Sequence, residues 1–205
     1  MAALSILQGL LLAFLVVTAF TETEVETEKQ DNDFTKILQK DNVIWVYNTT
    51  EPENITCRKD KISDVNQRNV SFHRYFRNGT QKLQGSLRGE LFNWVHWEDN
   101  NYTPYDAISI YNGNDLKSEE ILQYISDDGT CAVVTVLIIS DFIGGKPVGW
   151  TDLRLTNSVV EAGPSPNCSE KFDIIVNVTK NPGDRPIFLL SVIAFERYIK
   201  AGSIL

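Results

Sequence analysis

The chain has 205 residues, of which 42% are hydrophobic, and its formal net charge is −8 at pH 7. This acidic balance argues against nucleic acid or an anionic membrane surface as a partner. About 185 residues remain once the apolar N-terminal segment described below is removed, a length that suits one domain with its own hydrophobic core.

The N-terminal segment predicts a secretory signal peptide over residues 1–19. Residues 4–20 are strongly apolar, and acidic sequence starts at Thr21. Val17 and Ala19 are small residues of the kind that signal peptidase reads, so cleavage is expected after Ala19. The alternative is an uncleaved membrane anchor, because no Lys or Arg precedes the apolar core. No second apolar stretch reaches the roughly 20 residues of a membrane span, so we expect a secreted, extracellular protein.

Residues 20–33 form an acidic leader with little to bury, which we expect to be solvated and mobile. A single domain is expected over residues 34–205. It begins with "FTKILQK" at 34–40, which predicts a short N-terminal helix of two turns that closes one end of the domain.

From Val43 onward, apolar residues recur with a period of two, and Gly, Asn, Asp or Pro turns separate most segments. Seven or eight short strands at this spacing are typical of an antiparallel barrel or sandwich. The predicted strands are "VIWVYN" (43–48), "NITCRKD" (54–60), "NVSFHRYFR" (69–77), "SLRGELFNWVHW" (86–97), "YDAISIY" (105–111), "CAVVTVLII" (131–139) and "VGWTDLRLT" (148–156).

The pattern becomes helical at "PSPNCSEKFDIIVNVT" (164–179), where Phe172, Ile175 and Val178 or Thr179 form one apolar stripe. Such an amphipathic helix needs a surface to cover. "RPIFLLSVIAFERY" (185–198) then returns to a composition that favours a last strand.

The segment "CAVVTVLII" is apolar on both faces, so one face is expected in the barrel interior and the other beneath a cover. The late helix supplies that cover and carries Cys168. A Cys131–Cys168 bridge would join helix and barrel and stabilise the fold by roughly 4 kcal/mol. Three cysteines allow three single bridges, so other pairings stay open.

Asn-x-Ser/Thr sequons indicate a glycoprotein. They occur at Asn48, Asn54, Asn69, Asn78, Asn101, Asn167 and Asn177.

The sequons also predict which face of each strand points inward, because a glycan must reach water and side chains alternate. An outward Asn69 turns Val70, Phe72 and Phe76 inward, and Arg74 shares their register. By the same reasoning, Asn48 turns Trp45 and Tyr47 inward. Asn54 turns Ile55 and Cys57 inward, which predicts a buried, unpaired Cys57.

Catalysis is not expected. The chain has two histidines, His73 and His96, and neither belongs to a nucleophile-elbow, Cys–His or metal-ligand pattern.

Capture of a small ligand fits the composition better, because ligand pockets are mostly apolar and aromatic with a few polar groups. The expected cavity residues are Trp45, Tyr47, Phe72, Arg74, Phe76, Glu90, Phe92, Trp94, Asp106 and Tyr111. Arg74 has two expected roles: pairing with Glu90 or Asp106, or binding the carboxylate of a fatty-acid-like ligand.

Buried carboxylates separate two ligand classes, because an amine in a closed site needs an anion to offset its desolvation. The candidates are Glu90, Glu98, Asp106 and Asp152, each of which is more often a solvated side chain.

Several motifs together resemble the tick salivary lipocalins, the family of histamine-binding proteins. These are "NVIWVY" (42–47), "TCRKD" (56–60), "YISDDGTCAVVTV" (124–136) and "PSPNCSEKF" (164–172). The resemblance implies an eight-stranded antiparallel up-and-down barrel with a flanking C-terminal helix and a ligand cavity at its mouth.

The family commonly pairs the second-strand cysteine with one near the C-terminus, and the tail "ERYIKAGSIL" has none. This departure implies that Cys57 is free. Together with the many sequons, it makes the chain most similar to the japanin-type subgroup, which resembles sterol-carrying modulators of dendritic cells.

Three functions therefore remain for a monomeric protein without cofactors. One is to sequester a sterol or fatty-acid-like lipid and modulate host immunity or inflammation. Another is to scavenge histamine or serotonin. The third is to serve as a scaffold whose surface binds a host immune-cell or serum protein.

Overall fold

The computed structural model describes residues 32–139 and 148–180. These residues form eight strands, one 3-10 turn at Phe34–Lys36 and one α-helix, α1, at Pro166–Lys180. The strands are β1 (Val43–Thr49), β2 (Ile55–Asn66), β3 (Asn69–Asn78), β4 (Gln81–Phe92), β5 (Ala107–Asn112), β6 (Asp115–Ile125), β7 (Cys131–Ile138) and β8 (Val148–Thr156).

Each strand pairs antiparallel with the next one in the chain, and β8 pairs with β1. The sheet is therefore a closed, eight-stranded, up-and-down barrel, which confirms the predicted fold class. Within the described residues, no helix is long and apolar enough to cross a membrane.

The predicted N-terminal helix is only a 3-10 turn. The Asp33 side chain accepts a hydrogen bond from the Thr35 backbone N–H at 2.9 Å and fixes this turn. Phe34, Ile37 and Leu38 are buried and close one end of the barrel, as expected for this segment.

Strand β6 was not among the predicted segments, because charged residues interrupt its apolar pattern. Glu119 and Glu120 lie in its middle and are nevertheless 3% and 2% exposed. The strand predicted at 185–198 lies outside the described residues.

Strand β7 is buried on both faces, as its sequence predicts. Val134 and Val136 point into the barrel core. On the outer face, Cys131 and Val133 pack under α1, and Leu137 packs in a second outer cluster. That cluster contains Phe92, Trp94, Ala107, Ile121, Leu137 and Ile139.

Helix α1 lies across the outside of the barrel through Cys168, Phe172 and Val176, which are buried. Val178, expected in the apolar stripe, is exposed instead. The buried residues are four apart, so the stripe follows the i, i+4 rows of the helix. Cys168 forms the predicted disulfide with Cys131, 37 residues earlier in the chain.

Replacing both Cys131 and Cys168 with Ala should lower the free energy of unfolding by about 4 kcal/mol, because the 37-residue loop is no longer closed. Equilibrium urea unfolding measures this loss. Cys57→Ser is the matched control and should change stability by less than about 0.5 kcal/mol, since Cys57 is exposed. An equal loss in both variants would contradict a structural role for the bridge.

Candidate binding site in the barrel interior

An apolar chamber occupies the end of the barrel that the 3-10 turn closes. It has about 20 Å³ of room for water-sized spheres, enough for about one water molecule. Its apolar lining consists of Phe34, Ile37, Leu38, Ile44, Ile62, Phe72, Ile108, Ile110, Ala132 and Val134.

Four charged side chains also line this chamber, and they belong to a longer chain of ion pairs across the barrel. We call it the ion chain. In order of contact it consists of Glu51, Arg58, Asp152, Arg154, Glu120, Arg74 and Asp60.

One half of the ion chain centres on Asp152, which is fully buried. Arg58 donates to both carboxylate oxygens at 2.8 and 2.9 Å, and Arg154 Nη2 donates to Oδ2 at 2.9 Å. Thr49 Oγ1 and Trp150 Nε1 add hydrogen bonds to Oδ1 at 2.8 and 3.0 Å. Asp152 thus ties β1, β2 and β8 together inside the barrel.

The other half centres on Glu120, which accepts from Arg154 and, at 3.1 Å, from Arg74 Nη2. Arg74 also makes a two-point contact with Asp60, Nε and Nη2 each lying 2.8 Å from a carboxylate oxygen. Arg74 therefore pairs with Asp60 and Glu120, not with Glu90 or Asp106 as expected. Asp60 and Arg74 are direct cross-strand partners, which explains their close contact.

The ion pairs decide the protonation state of Glu120. Burial alone would raise the pKa of this carboxyl, but the charges of Arg154 and Arg74 outweigh burial and hold the pKa at about 2. At Glu51, the terminal residue of the ion chain, burial outweighs the attraction of Arg58. The pKa of the Glu51 carboxyl is therefore raised. Glu120 is thus an anion over the physiological range.

Arg58, which bridges Glu51 and Asp152 in the ion chain, has one donor unused. Its Nη atoms bind Glu51 and Asp152, whereas its buried Nε has no hydrogen-bond partner among the described residues. A buried donor without an acceptor is costly, so a ligand oxygen or a water that reached it would be favoured.

The end of the barrel opposite the 3-10 turn, above the ion chain, carries apolar side chains in the inward register. We call these five residues the mouth ring: Phe76, Leu83, Ile138, Val148 and Trp150. Leu83 and Val148 are 40% and 37% exposed. Gly85 is the direct partner of inward-pointing Arg74, and a Cβ placed on it would meet nothing within 4 Å. Within residues 32–139 and 148–180, no side chain fills the space beside Gly85 above the ion chain.

Among the predicted cavity residues, Phe72 and Arg74 line the chamber and Phe76 lies at the mouth. The other seven residues lie elsewhere.

Trp45 and Tyr47 do not point inward as predicted. Ile44 lines the chamber, so Trp45 points outward, and the Tyr47 side chain is half exposed. A β-bulge between Val46 and Asn48 breaks the alternation, so Asn48 and Trp45 both face out.

Cys57 is exposed and free, which corrects the prediction that it is buried. The register of β2 shifts between Thr56 and Lys59, and Cys57 has a positive φ of 54°. This bulge turns Arg58 into the barrel and leaves Cys57 outside.

Phe92 and Trp94 lie in the outer cluster beside β7, and Asp106 caps the Trp94 backbone N–H at 2.6 Å. Glu90 is half exposed and pairs with Arg68 at 3.3 Å. Tyr111 lies under the guanidinium of Arg88, 4.4 Å from the ring centroid.

All seven sequon asparagines are exposed, so a glycan could be attached at each without unfolding the barrel. Among the described residues, no group of three or more His, Cys, Asp or Glu side chains is placed to hold a metal ion.

Sequence reasoning missed Glu51, Arg58, Asp60, Glu120 and Arg154 and named Asp152 only as one of four carboxylates. The available signal was the alternation in β8, where charged Asp152 and Arg154 flank apolar Leu153. An alternating strand is normally taken to bury its apolar face in the core, but here that face packs under α1.

No protein-family model matches the chain, and no curated protein matches it. The fold is similar to a solved structure of the siderocalin Ex-FABP, which is described as functioning through dual ligand specificities. The sequences are 8% identical, the TM-score is 0.49, and the match covers 73% of this chain and 86% of that chain. The strand order, and not this distant likeness, defines the class: a lipocalin-like barrel with a C-terminal helix.

Glu120→Gln should lower the free energy of unfolding by about 3–5 kcal/mol, because it leaves buried Arg74 and Arg154 short of an anionic partner. Glu90→Gln is the control, since its half-exposed ion pair should be worth less than about 1 kcal/mol. Urea unfolding at pH 7 measures both variants. Equal losses would show that the ion chain has no special role.

The same carboxylate predicts an acid limb of stability. The pKa of Glu120 lies at about 2 in the folded protein, below its ordinary value of 4.5. Its stabilisation is thus fully present above pH 4.5 and is lost as the pH falls towards 2. Unfolding titrations across this range should show a smaller fall for Glu120→Gln than for the wild type, and parallel curves would contradict the assignment.

Proposed function

We propose that this chain is a secreted, lipocalin-like binding protein that takes up a hydrophobic small molecule, a sterol or a fatty-acid-like lipid, at the open end of its barrel. The observation that supports this is the layered interior, in which the apolar mouth ring lies above the ion chain. An amphipathic ligand would place its apolar body against the mouth ring and its polar end at the ion chain.

The size of the chamber limits where such a ligand can lie. About 20 Å³ beneath the ion chain is far below the roughly 300–1,000 Å³ of small-molecule pockets. The ligand body therefore belongs above the ion chain. The charged side chains of the ion chain favour a hydroxyl, carbonyl or carboxylate as its polar end.

A role in modulating host immune or inflammatory responses, with dendritic cells as a target, is part of this proposal. Its support is the sequence resemblance to tick salivary lipocalins, together with the predicted signal peptide and the sequons.

Scavenging of histamine or serotonin has weaker support. Each of the four carboxylates in the ion chain accepts from an arginine. An amine would have to displace one of these guanidinium groups at a large desolvation cost. Calorimetry with both amines should give no heat at high micromolar concentration, and measurable heat would revive this alternative.

The largely filled interior favours a second candidate function, in which the barrel is a scaffold that binds a host protein through its surface. This role is compatible with a ligand at the mouth. Pull-down from host serum and dendritic-cell membranes tests it, with the Glu90→Gln and wild-type proteins as matched baits.

The lipid proposal is tested at Gly85, where a larger side chain would fill the mouth without backbone strain. Gly85→Phe should weaken binding of cholesterol or a fatty acid at least about tenfold, or 1.4 kcal/mol. Native mass spectrometry of the purified protein, followed by lipid extraction, identifies the ligand, and titration with that lipid measures the loss. Ser86→Phe is the control, because the neighbouring residue points outward.

Two results would contradict the proposal. One is a protein that carries no lipid and binds none of the added lipids at tens of micromolar. The other is equal affinity of Gly85→Phe, Ser86→Phe and the wild type, which would place any bound lipid outside the mouth.

A further inference from the structure

A second concave site lies on the barrel wall and has about 420 Å³ of room for water-sized spheres, against about 20 Å³ in the chamber. This volume falls within the range of about 300–1,000 Å³ for small-molecule pockets. We call it the wall groove, and it is lined by Trp45, Cys57, Lys59, Tyr75, Phe76, Arg77, Lys82, Leu83 and Gln84.

Most of the wall groove belongs to the outer face of the sheet. Trp45 pairs with Lys59, Lys59 with Tyr75, and Tyr75 with Gln84 across β1 to β4. Their neighbours Ile44, Asp60 and Arg74 line the chamber, so this row points outward.

The centre of the row is an aromatic platform around one cation. Lys59 Nζ lies 4.5 Å from the ring centroid of Trp45 and 5.7 Å from that of Tyr75. Both distances are within the range of cation–π attraction. The contact holds the Lys59 charge in the groove and presents ring surfaces beside it.

Two further cations form an arrangement that the fold alone does not explain. Arg77 and Lys82 are direct cross-strand partners with exposed side chains on the same face. Like charges directly opposite each other destabilise a sheet. Neither has a carboxylate within ion-pair distance among the described residues.

The charge of the wall groove is also opposite to that of the protein. Its lining contains three cationic side chains and no Asp or Glu, on a chain whose net charge is −8. An anion between Arg77 and Lys82 would remove their repulsion and gain charge-assisted hydrogen bonds.

From this geometry we propose that the wall groove binds a small amphipathic anion. Its carboxylate, sulfate or phosphate lies between Arg77 and Lys82, with Lys59 nearby. Its aromatic or acyl body lies on Trp45 and Tyr75, which offer flat apolar surfaces at low entropic cost.

The test uses anilinonaphthalene sulfonate, a fluorescent aromatic anion, with the full chain after enzymatic deglycosylation, because Asn54 and Asn78 are sequons near the groove. Arg77→Gln/Lys82→Gln should raise the Kd of the probe at least about tenfold. The control is Lys61→Gln/Lys117→Gln, which removes the same charge from exposed lysines outside the groove. Equal weakening of both variants would overturn the proposal, since it would show only the general field of the protein.

Cys57 locates the bound probe, because its free thiol lies in the groove lining. Saturating probe should slow the reaction of Cys57 with a neutral thiol reagent at least about fivefold in the wild type but not in Arg77→Gln/Lys82→Gln, since a bound ligand blocks access. Equal reaction rates with and without probe would contradict binding at this site.

Phe76 and Leu83 of the mouth ring also line the wall groove, whereas its aromatic platform and its three cations lie on the outer face. Gly85→Phe therefore tests whether the probe depends on the mouth. It should leave binding of the probe and protection of Cys57 unchanged while it removes lipid binding. Loss of probe binding in Gly85→Phe would assign the probe to the mouth and overturn the inference, whereas failure of lipid uptake alone would leave it standing.

Discussion

The ion chain is the interaction on which the rest of the interior depends. Three arginines and four carboxylates stand on β2, β3, β6 and β8 and in the β1–β2 connection, and each charge finds a partner only when the strands keep their register. A network of this kind adds little stability relative to an apolar core, but breaking one link is costly. It therefore selects one strand alignment and separates the apolar chamber from the apolar mouth ring.

The polar interior is possible because the apolar faces of β7 and β8 have a second core to enter. Leu153 and Leu155 pack with Cys131, Cys168 and Phe172 under α1. The helix therefore forms a second hydrophobic core with the outer faces of β7 and β8. It takes up hydrophobic surface that would otherwise have to face inward, which leaves the inward positions Asp152 and Arg154 free for charge.

Period-two patterning was sufficient for an antiparallel barrel or sandwich, and one long apolar strand was sufficient for the burial of both faces of β7. The closed eight-stranded barrel was implied by the family resemblance, and Cys131–Cys168 was one of three possible bridges. The sequence was not sufficient for the site. The bulges at Tyr47 and Cys57 invert the faces of Trp45 and Cys57, and a bulge leaves no mark in composition. Strand β6 escaped prediction because Glu119 and Glu120 look solvated until the arginines from distant strands are placed.

The bulge in β2 also affects how the sequence of this protein can evolve. Cys57 and Arg58 are consecutive, yet Cys57 is exposed to solvent and Arg58 pairs with Asp152 inside the barrel. Selection can therefore alter the recognition chemistry on either side of a wall one residue thick without disturbing the opposite side. A single deletion at this point, by contrast, would exchange the two surfaces for the start of the strand and compromise both at once.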